Sequence, residues 1–234
     1  RVEINGVAVW EKQADRQLPP ASLTKLMTAL LVLEQGRLED VAIISQAATH
    51  ETGSRLGLQP GEQLRMQDLL AATLLQSAND ACHALADHVA GSEAAFVKQM
   101  NQRALELGLR DTRFQNACGH DAPGHHSSTQ DLARLAHELL KHPQVVPLTS
   151  QTHTSITTLE GKRYKVSNKN ALVGRYDGAL GLKTGYTANA GKCLVAYAKR
   201  GGHEVLLVML HGHDRWWDAV DILDLAFKHA RHTH

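Results

Sequence analysis

The stretch Ser22-Leu23-Thr24-Lys25-Leu26-Met27-Thr28-Ala29-Leu30-Leu31-Val32-Leu33-Glu34 decides how the rest of the chain is read. Its apolar residues Leu23, Leu26, Met27, Leu30, Leu31 and Leu33 recur at helical spacing and cover more than one face. That pattern predicts a buried helix, stopped at Gly36. Upstream, Val2 to Trp10 alternates like a strand around the turn-prone pair Asn5-Gly6, as a hairpin does. Downstream, Leu38 to His142 is mostly helical, with helical periods over Met66 to Gln76, Asp80 to Val89, Glu93 to Leu107 and Thr129 to Lys141; Pro143 closes the zone. Short runs rich in β-branched residues follow at Thr152 to Leu159, Tyr164 to Ser167, Cys193 to Lys199 and His203 to His211. An amphipathic helix, Arg215 to Ala230, ends the pattern. Strands therefore bracket a helical insertion, and such strands usually share one sheet. The expected fold class is α+β: an antiparallel sheet flanked by helices, in one domain over residues 1–234. A mostly helical lobe, about residues 38–143, is inserted between sheet segments 1–37 and 144–234. A cleft where lobe meets sheet is the natural place for a site.

Composition excludes several classes of function. The 234 residues carry 25 Lys+Arg against 24 Asp+Glu, and aromatic residues make up only 4%, so neither the basic stripe nor the interleaved aromatics of a nucleic-acid reader is present. The longest apolar run, such as Val205 to Leu210, is far short of a membrane span, and Arg1 to Trp10 lacks the stages of a secretory signal. Three cysteines, Cys82, Cys118 and Cys193, form no CxxC pair and allow at most one bridge. Cys82 and Cys193 lie in apolar periodic segments and read as small buried side chains. The His211-Gly212-His213-Asp214 string and the tail histidines His229, His232 and His234 could bind a metal, but such groups more often sit on the surface. No metal or other cofactor is expected.

Three polar strings invite chemistry. A serine in the first turn of a helix lies near the positive end of the dipole, and the residue three places on shares its face, so Ser22 and Lys25 can touch. In so apolar a helix the ammonium of Lys25 would be poorly solvated and its pKa lowered, which makes it a candidate general base for the serine. Ser77-Ala78-Asn79 falls where one apolar helix stops and Asp80 opens the next, a junction able to hold polar groups rigidly in a cleft. Lys183-Thr184-Gly185 lies in a strand-like run with a second glycine at Gly181, and glycine in a strand often marks close approach by a ligand or another backbone.

Taken as a set and in this order, the strings resemble the penicillin-recognising serine enzymes. The wording is closest to the low-molecular-mass penicillin-binding proteins of the D-alanyl-D-alanine carboxypeptidase family. The resemblance covers Pro20 to Ala29, Leu56-Gly57-Leu58-Gln59-Pro60-Gly61-Glu62, Ser77 to Ala81, Ser128 to Ala133 and Gly181 to Thr187 with Ala190-Gly191. It implies a β-lactamase/DD-peptidase-like fold, with Ser22 as nucleophile on the bond between the terminal D-alanines of a peptidoglycan stem peptide and Lys25 as its base. Ser77 would relay a proton to the departing D-alanine, and Asn79 would bond Lys25 and a substrate amide. Lys183 would offer charge to the terminal carboxylate and help depress Lys25, with Thr184 adding a hydroxyl. The amides of Ser22 and Tyr186 would form the oxyanion hole, Gly185 would let substrate lie against the strand, and Thr187 and Lys169 would be further substrate contacts. β-Lactams would act as covalent inhibitors. A class A β-lactamase signature, Glu followed four residues later by Asn, is absent between Asp80 and Leu182, so slow penicillin turnover is expected. Work on peptidoglycan implies an exported, periplasmic protein. Two other readings use the same residues: a D,D-endopeptidase cutting cross-links, and a penicillin-sensing domain that is acylated without turnover.

Overall fold

The computed structural model describes residues 1–232. A hairpin of β1 (Val2–Ile4) and β2 (Val7–Trp10) opens the chain, and a single 3-10 turn at Ala21–Thr24 leads into α1 (Lys25–Gln35). The stretch that follows holds β3 (Val41–Ile43), α2 (Gln46–Thr49), β4 (Gln63–Arg65), α3 (Met66–Ala71), α4 (Asn79–Ala90), α5 (Glu93–Glu106) and α6 (Thr129–Leu140). After α7 (Val145–Thr149) come β5 (His153–Thr157), β6 (Arg163–Ser167), β7 (Ala179–Thr187), β8 (Gly191–Arg200), β9 (His203–Gly212) and α8 (Arg215–His232).

The five-stranded antiparallel sheet runs β2-β1-β9-β8-β7, so the first hairpin pairs with the last strands of the chain. Alternation sorts its side chains between two cores. Leu194, Ala196, Ala198, Val205 and Leu207 face α8, packing with Leu223 and Phe227. Cys193, Val195, Tyr197, Leu206 and Val208 face the helices and join α1, α4 and α6 in the larger core. Gly36 ends α1 in the left-handed conformation, as its place in the sequence predicts.

The structure departs from the sequence reading at several points. The runs at 152–159 and 164–167 do pair, but with each other in a separate two-stranded ribbon, β5–β6, outside the main sheet. The helical zone contains a short ribbon of its own, β3–β4. The single helix expected over Met66 to Gln76 is α3 followed by a π-helical turn at Ala72–Gln76. Cys82 is not a free apolar side chain: it is disulfide-bonded to Cys118, with Cα atoms 5.9 Å apart, while Cys193 remains a free, buried thiol. Helical spacing reports burial and not pairing, and the partner lies in a loop without periodicity. His234, named above with the tail histidines, lies outside the described residues.

Candidate active site

The floor of the site is the start of α1. Leu23, Leu26, Met27 and Leu30 are fully buried here, and the polar residues Thr24, Lys25 and Thr28 each reach a partner in the segment 117–125. Thr28 Oγ1 donates to Ala117 O at 2.7 Å. Thr24 Oγ1 meets His125 Nε2 at 2.8 Å, and because His125 Nδ1 accepts from the Gln115 amide, Nε2 carries the proton and donates to the threonine. Burial lowers the His125 pKa to about 4, in keeping with a neutral ring.

Lys25 completes this lacing. Its Nζ lies 2.9 Å from Ser22 Oγ, 2.7 Å from Asn79 Oδ1 and 2.6 Å from Cys118 O, three acceptors for the three N–H donors of an ammonium. The side chain is 0% exposed. Burial pushes its pKa down to about 7; the Glu51 carboxylate opposes the shift and the Lys169 ammonium adds to it. As a free amine, Nζ keeps a lone pair that can accept the Ser22 hydroxyl proton.

Ser77 is placed by strain. It ends the π-helical turn with φ of 62°, a left-handed conformation uncommon for serine, and such turns recur at functional sites. Asn79 starts α4, Ala78 serving as its N-cap, and its Nδ2 donates to Thr52 O at 2.6 Å, which aims Oδ1 at Lys25. Asp80 does not cap this helix. Its buried carboxylate instead accepts from the amides of Leu56, Gly57 and Leu58 at 2.9–3.1 Å and so pins the Leu56–Leu58 loop beside the cleft. Asp80→Ala would strand those three amides, at about 4 kcal/mol in total. The expected result is a fall of roughly 10 °C in Tm, with Asp80→Asn, which keeps one acceptor oxygen, losing less. Equal melting temperatures for wild type and Asp80→Ala would contradict it.

β7 forms the opposite wall. Lys183, 1% exposed, donates from Nζ to Ser77 Oγ at 2.9 Å and to Thr184 O at 2.8 Å. Burial holds its pKa well below the ordinary lysine value, with Lys25, Lys169 and Arg215 adding to the shift, so an incoming carboxylate is what would make its charge favourable. Gly185 lies flat against the nucleophile turn: a Cβ there would sit 3.1 Å from the Ser22 amide nitrogen and 3.2 Å from Pro20 O. The strand glycine thus permits a backbone approach, as expected, but the backbone is the protein's own. Tyr186 is 65% exposed at the rim, and Thr187 Oγ1 donates to Asp121 at 2.8 Å. Lys169 Nζ donates to Ser54 Oγ at 2.6 Å.

These residues enclose one cleft of about 600 Å³, with Ser22, Ser77, Asn79, Lys169, Thr184, Gly185, Tyr186 and Thr187 on its surface and Lys25 and Lys183 behind it. Other participants were not legible in the sequence. Arg215, the first residue of α8, donates to Gly185 O at 2.8 Å and Cys193 O at 3.1 Å and stacks 4.4 Å from the Trp216 ring centroid, bracing β7 where both side chains line the same cleft. Gly119 has φ of 93°, and any Cβ on it would run into Ala21 O, so the loop can bring Cys118 O to Lys25 only with glycine there. The signal available was a lone Cys-Gly in a loop, too common to single out.

A helical lobe against an antiparallel sheet, with a serine and a buried lysine in contact where they meet, defines the class of serine DD-peptidases. The structure of Streptomyces K15 DD-transpeptidase superposes with a TM-score of 0.90 at 29% identity, covering 97% of this chain and 95% of that one. Penicillin-binding protein D2 from Listeria monocytogenes, in its ampicillin-bound form, matches with a TM-score of 0.83 at 33% identity, covering 97% and 96%. The chain belongs to the D-alanyl-D-alanine carboxypeptidase family, whose sequence profile matches residues 3–214. Its relatives include D-alanyl-D-alanine carboxypeptidase DacF of Bacillus subtilis, 36% identical over 95% of this chain and 59% of the relative. DacC of Escherichia coli is 37% identical over 88% and 54%. The chain thus spans little more than half the length of these two relatives.

Proposed function

We propose that this chain is a single catalytic domain, residues 1–234 with the helical lobe 38–143 inserted, that removes the terminal D-alanine from peptidoglycan stem peptides through an acyl-enzyme on Ser22. The contact of 2.9 Å between Ser22 Oγ and a buried Lys25 Nζ carries the reading. Lys25, as free amine, takes the hydroxyl proton while Oγ attacks the carbonyl carbon of the penultimate D-alanine. The amides of Ser22 and Tyr186, on the two segments that Gly185 keeps in contact, receive the developing oxyanion. Ser77 hands a proton to the departing D-alanine nitrogen and is resupplied through Lys183, 2.9 Å away. Lys183 in turn recovers from the cleft the proton that Lys25 releases there, which returns Lys25 to the free amine. Asn79 holds Lys25 and a substrate amide, and Lys183, Thr184, Thr187 and Lys169 receive the substrate's carboxylate and backbone. Water, activated by Lys25, then hydrolyses the ester.

A β-lactam presents the same carbonyl in a ring, so its leaving nitrogen stays tethered and the ester lasts. Peptidoglycan as substrate implies an exported protein working in the periplasm. That no helix among the described residues is long and apolar enough to cross a membrane is compatible with this. The test is D-alanine release from a stem peptide ending in D-alanyl-D-alanine, run beside a cross-linked stem-peptide dimer and an intact-mass time course with benzylpenicillin. Release from the monomeric peptide with a slowly decaying adduct is expected. Cleavage of the dimer alone would point to an endopeptidase, a permanent adduct without release to a sensor, and an adduct gone within seconds to a β-lactamase.

A further inference from the structure

Beneath the outer wall of the cleft, four elements bring carboxylates and imidazoles together that the proposed reaction does not use. Glu51 follows α2, His83 lies on α4, Glu93 opens α5, and His120 follows Cys118 and Gly119 in the loop. His83 Nδ1 is 2.6 Å from Glu51 Oε1 and 3.9 Å from Glu93 Oε2, and the three residues can each offer one ligand atom within 4.8 Å of the others. His120 Nε2 is 2.6 Å from the second oxygen of Glu51. Ligands held about 2.0–2.2 Å from a tetrahedral ion sit roughly 3.4 Å apart, so the separations among Glu51, His83 and Glu93 bracket what an ion needs, and His120 reaches the same Glu51 carboxylate through its other oxygen.

The surroundings are those of a built metal site. A ligating histidine usually has its other nitrogen directed at a carboxylate, and ligating carboxylates are themselves hydrogen-bonded. His83 Nε2 faces Asp87 Oδ1 at 3.6 Å, and Asp87 Oδ2 accepts from Ser45 Oγ at 2.7 Å. Glu93 Oε1 accepts from the Ala117 amide at 2.9 Å, leaving Oε2 for the cluster. Mixed imidazole and carboxylate donors select zinc or a similar transition metal over calcium or magnesium.

We infer that Glu51, His83 and Glu93, with His120 as fourth ligand, bind a divalent transition metal of the zinc type that clamps the 117–120 loop to α4 and α5. The ion would be structural, lying behind the wall that presents Cys118 O to Lys25. Without an ion the same groups form an ion-pair network centred on Glu51, and Glu93 tells the two apart. Glu93→Gln keeps an oxygen for the Ala117 amide, so a pure ion-pair network barely notices it, whereas a metal site loses a charged ligand.

The full chain, stripped with a chelator and returned to metal-free buffer, is titrated with Zn²⁺ alone by calorimetry and melted with and without it. Wild type is expected to bind one equivalent at micromolar or lower Kd and to gain about 5 °C in Tm at saturation. Glu93→Gln and His83→Gln, shown to be folded by their metal-free melts, are expected to bind at least about tenfold more weakly. Co²⁺ in place of Zn²⁺ should give the intense visible absorption of a tetrahedral site in wild type only. Zinc binding equal in all three proteins, as surface histidines elsewhere would give, or no rise in Tm, would overturn the inference.

Discussion

Ser22→Ala is expected to leave no covalent adduct with benzylpenicillin and to lower D-alanine release by about 10⁴-fold or more. The substitution removes one oxygen. Ser22 Oγ accepts from Lys25, whose other acceptors, Asn79 Oδ1 and Cys118 O, stay in place, so the fold should survive and the loss should report chemistry. Intact-mass spectrometry after penicillin reads the outcome directly. A full-stoichiometry adduct on the variant would show that another residue is the nucleophile, and the mechanism built on α1 would fall with it.

Lys25→Met should be nearly as damaging, reducing acylation roughly a thousandfold, because it removes the base while keeping length and apolar volume. The wild-type pH profile makes the test sharper. A base with its pKa depressed to about 7 is protonated and idle below that pH and free above it. Acylation by penicillin should therefore rise about tenfold per pH unit up to about 7 and then level off, the limb reporting the free enzyme. An unperturbed lysine would keep the rate climbing to beyond pH 10. Continued tenfold growth between pH 8 and 9 would mean that burial does not depress Lys25, and an unchanged rate in Lys25→Met would exclude it as the base.

How much of this was legible beforehand depended on periodicity. Helices α4, α5 and α6 and the strands β8 and β9 stand within about two residues of where their hydrophobic patterns place them, since each has a face that must be buried. The pairing of β1 with β9, across nearly the whole chain, followed only from the expectation that bracketing strands share a sheet. Pattern failed where side chains answer to polar geometry. The π-helical turn before Ser77 has the same apolar spacing as an α-helix, and Asp80 looks like a helix cap until its three loop amides are seen. β5 and β6 are β-branched enough to be strands, yet nothing in their composition says which sheet they join.

The site residues were readable because each of the three strings carries its own local reason. Ser22 and Lys25 share a face, the second string marks a junction, and the third marks a strand with little side-chain bulk. What no string could reveal was the loop they converge on. Cys118 O and Gly119 act through backbone position, and backbone position is a property of the whole fold. Arg215 was visible as the polar start of an amphipathic helix, with no hint that its guanidinium would brace Gly185.

The bond between Cys82 and Cys118 ties that loop to the helix bearing Asn79, at the very residue whose carbonyl receives Lys25 and one residue before the glycine that packs against the Ser22 turn. Such a cross-link persists only in oxidising surroundings. A chain kept in a reducing cytosol would hold two thiols there instead, and the seat of its lysine would rest on packing and on hydrogen bonds such as those of Ala117 to Thr28 and Glu93. Protein recovered from cytosolic and from secreted production can therefore share one sequence and one fold and still differ in how firmly the catalytic amine is held.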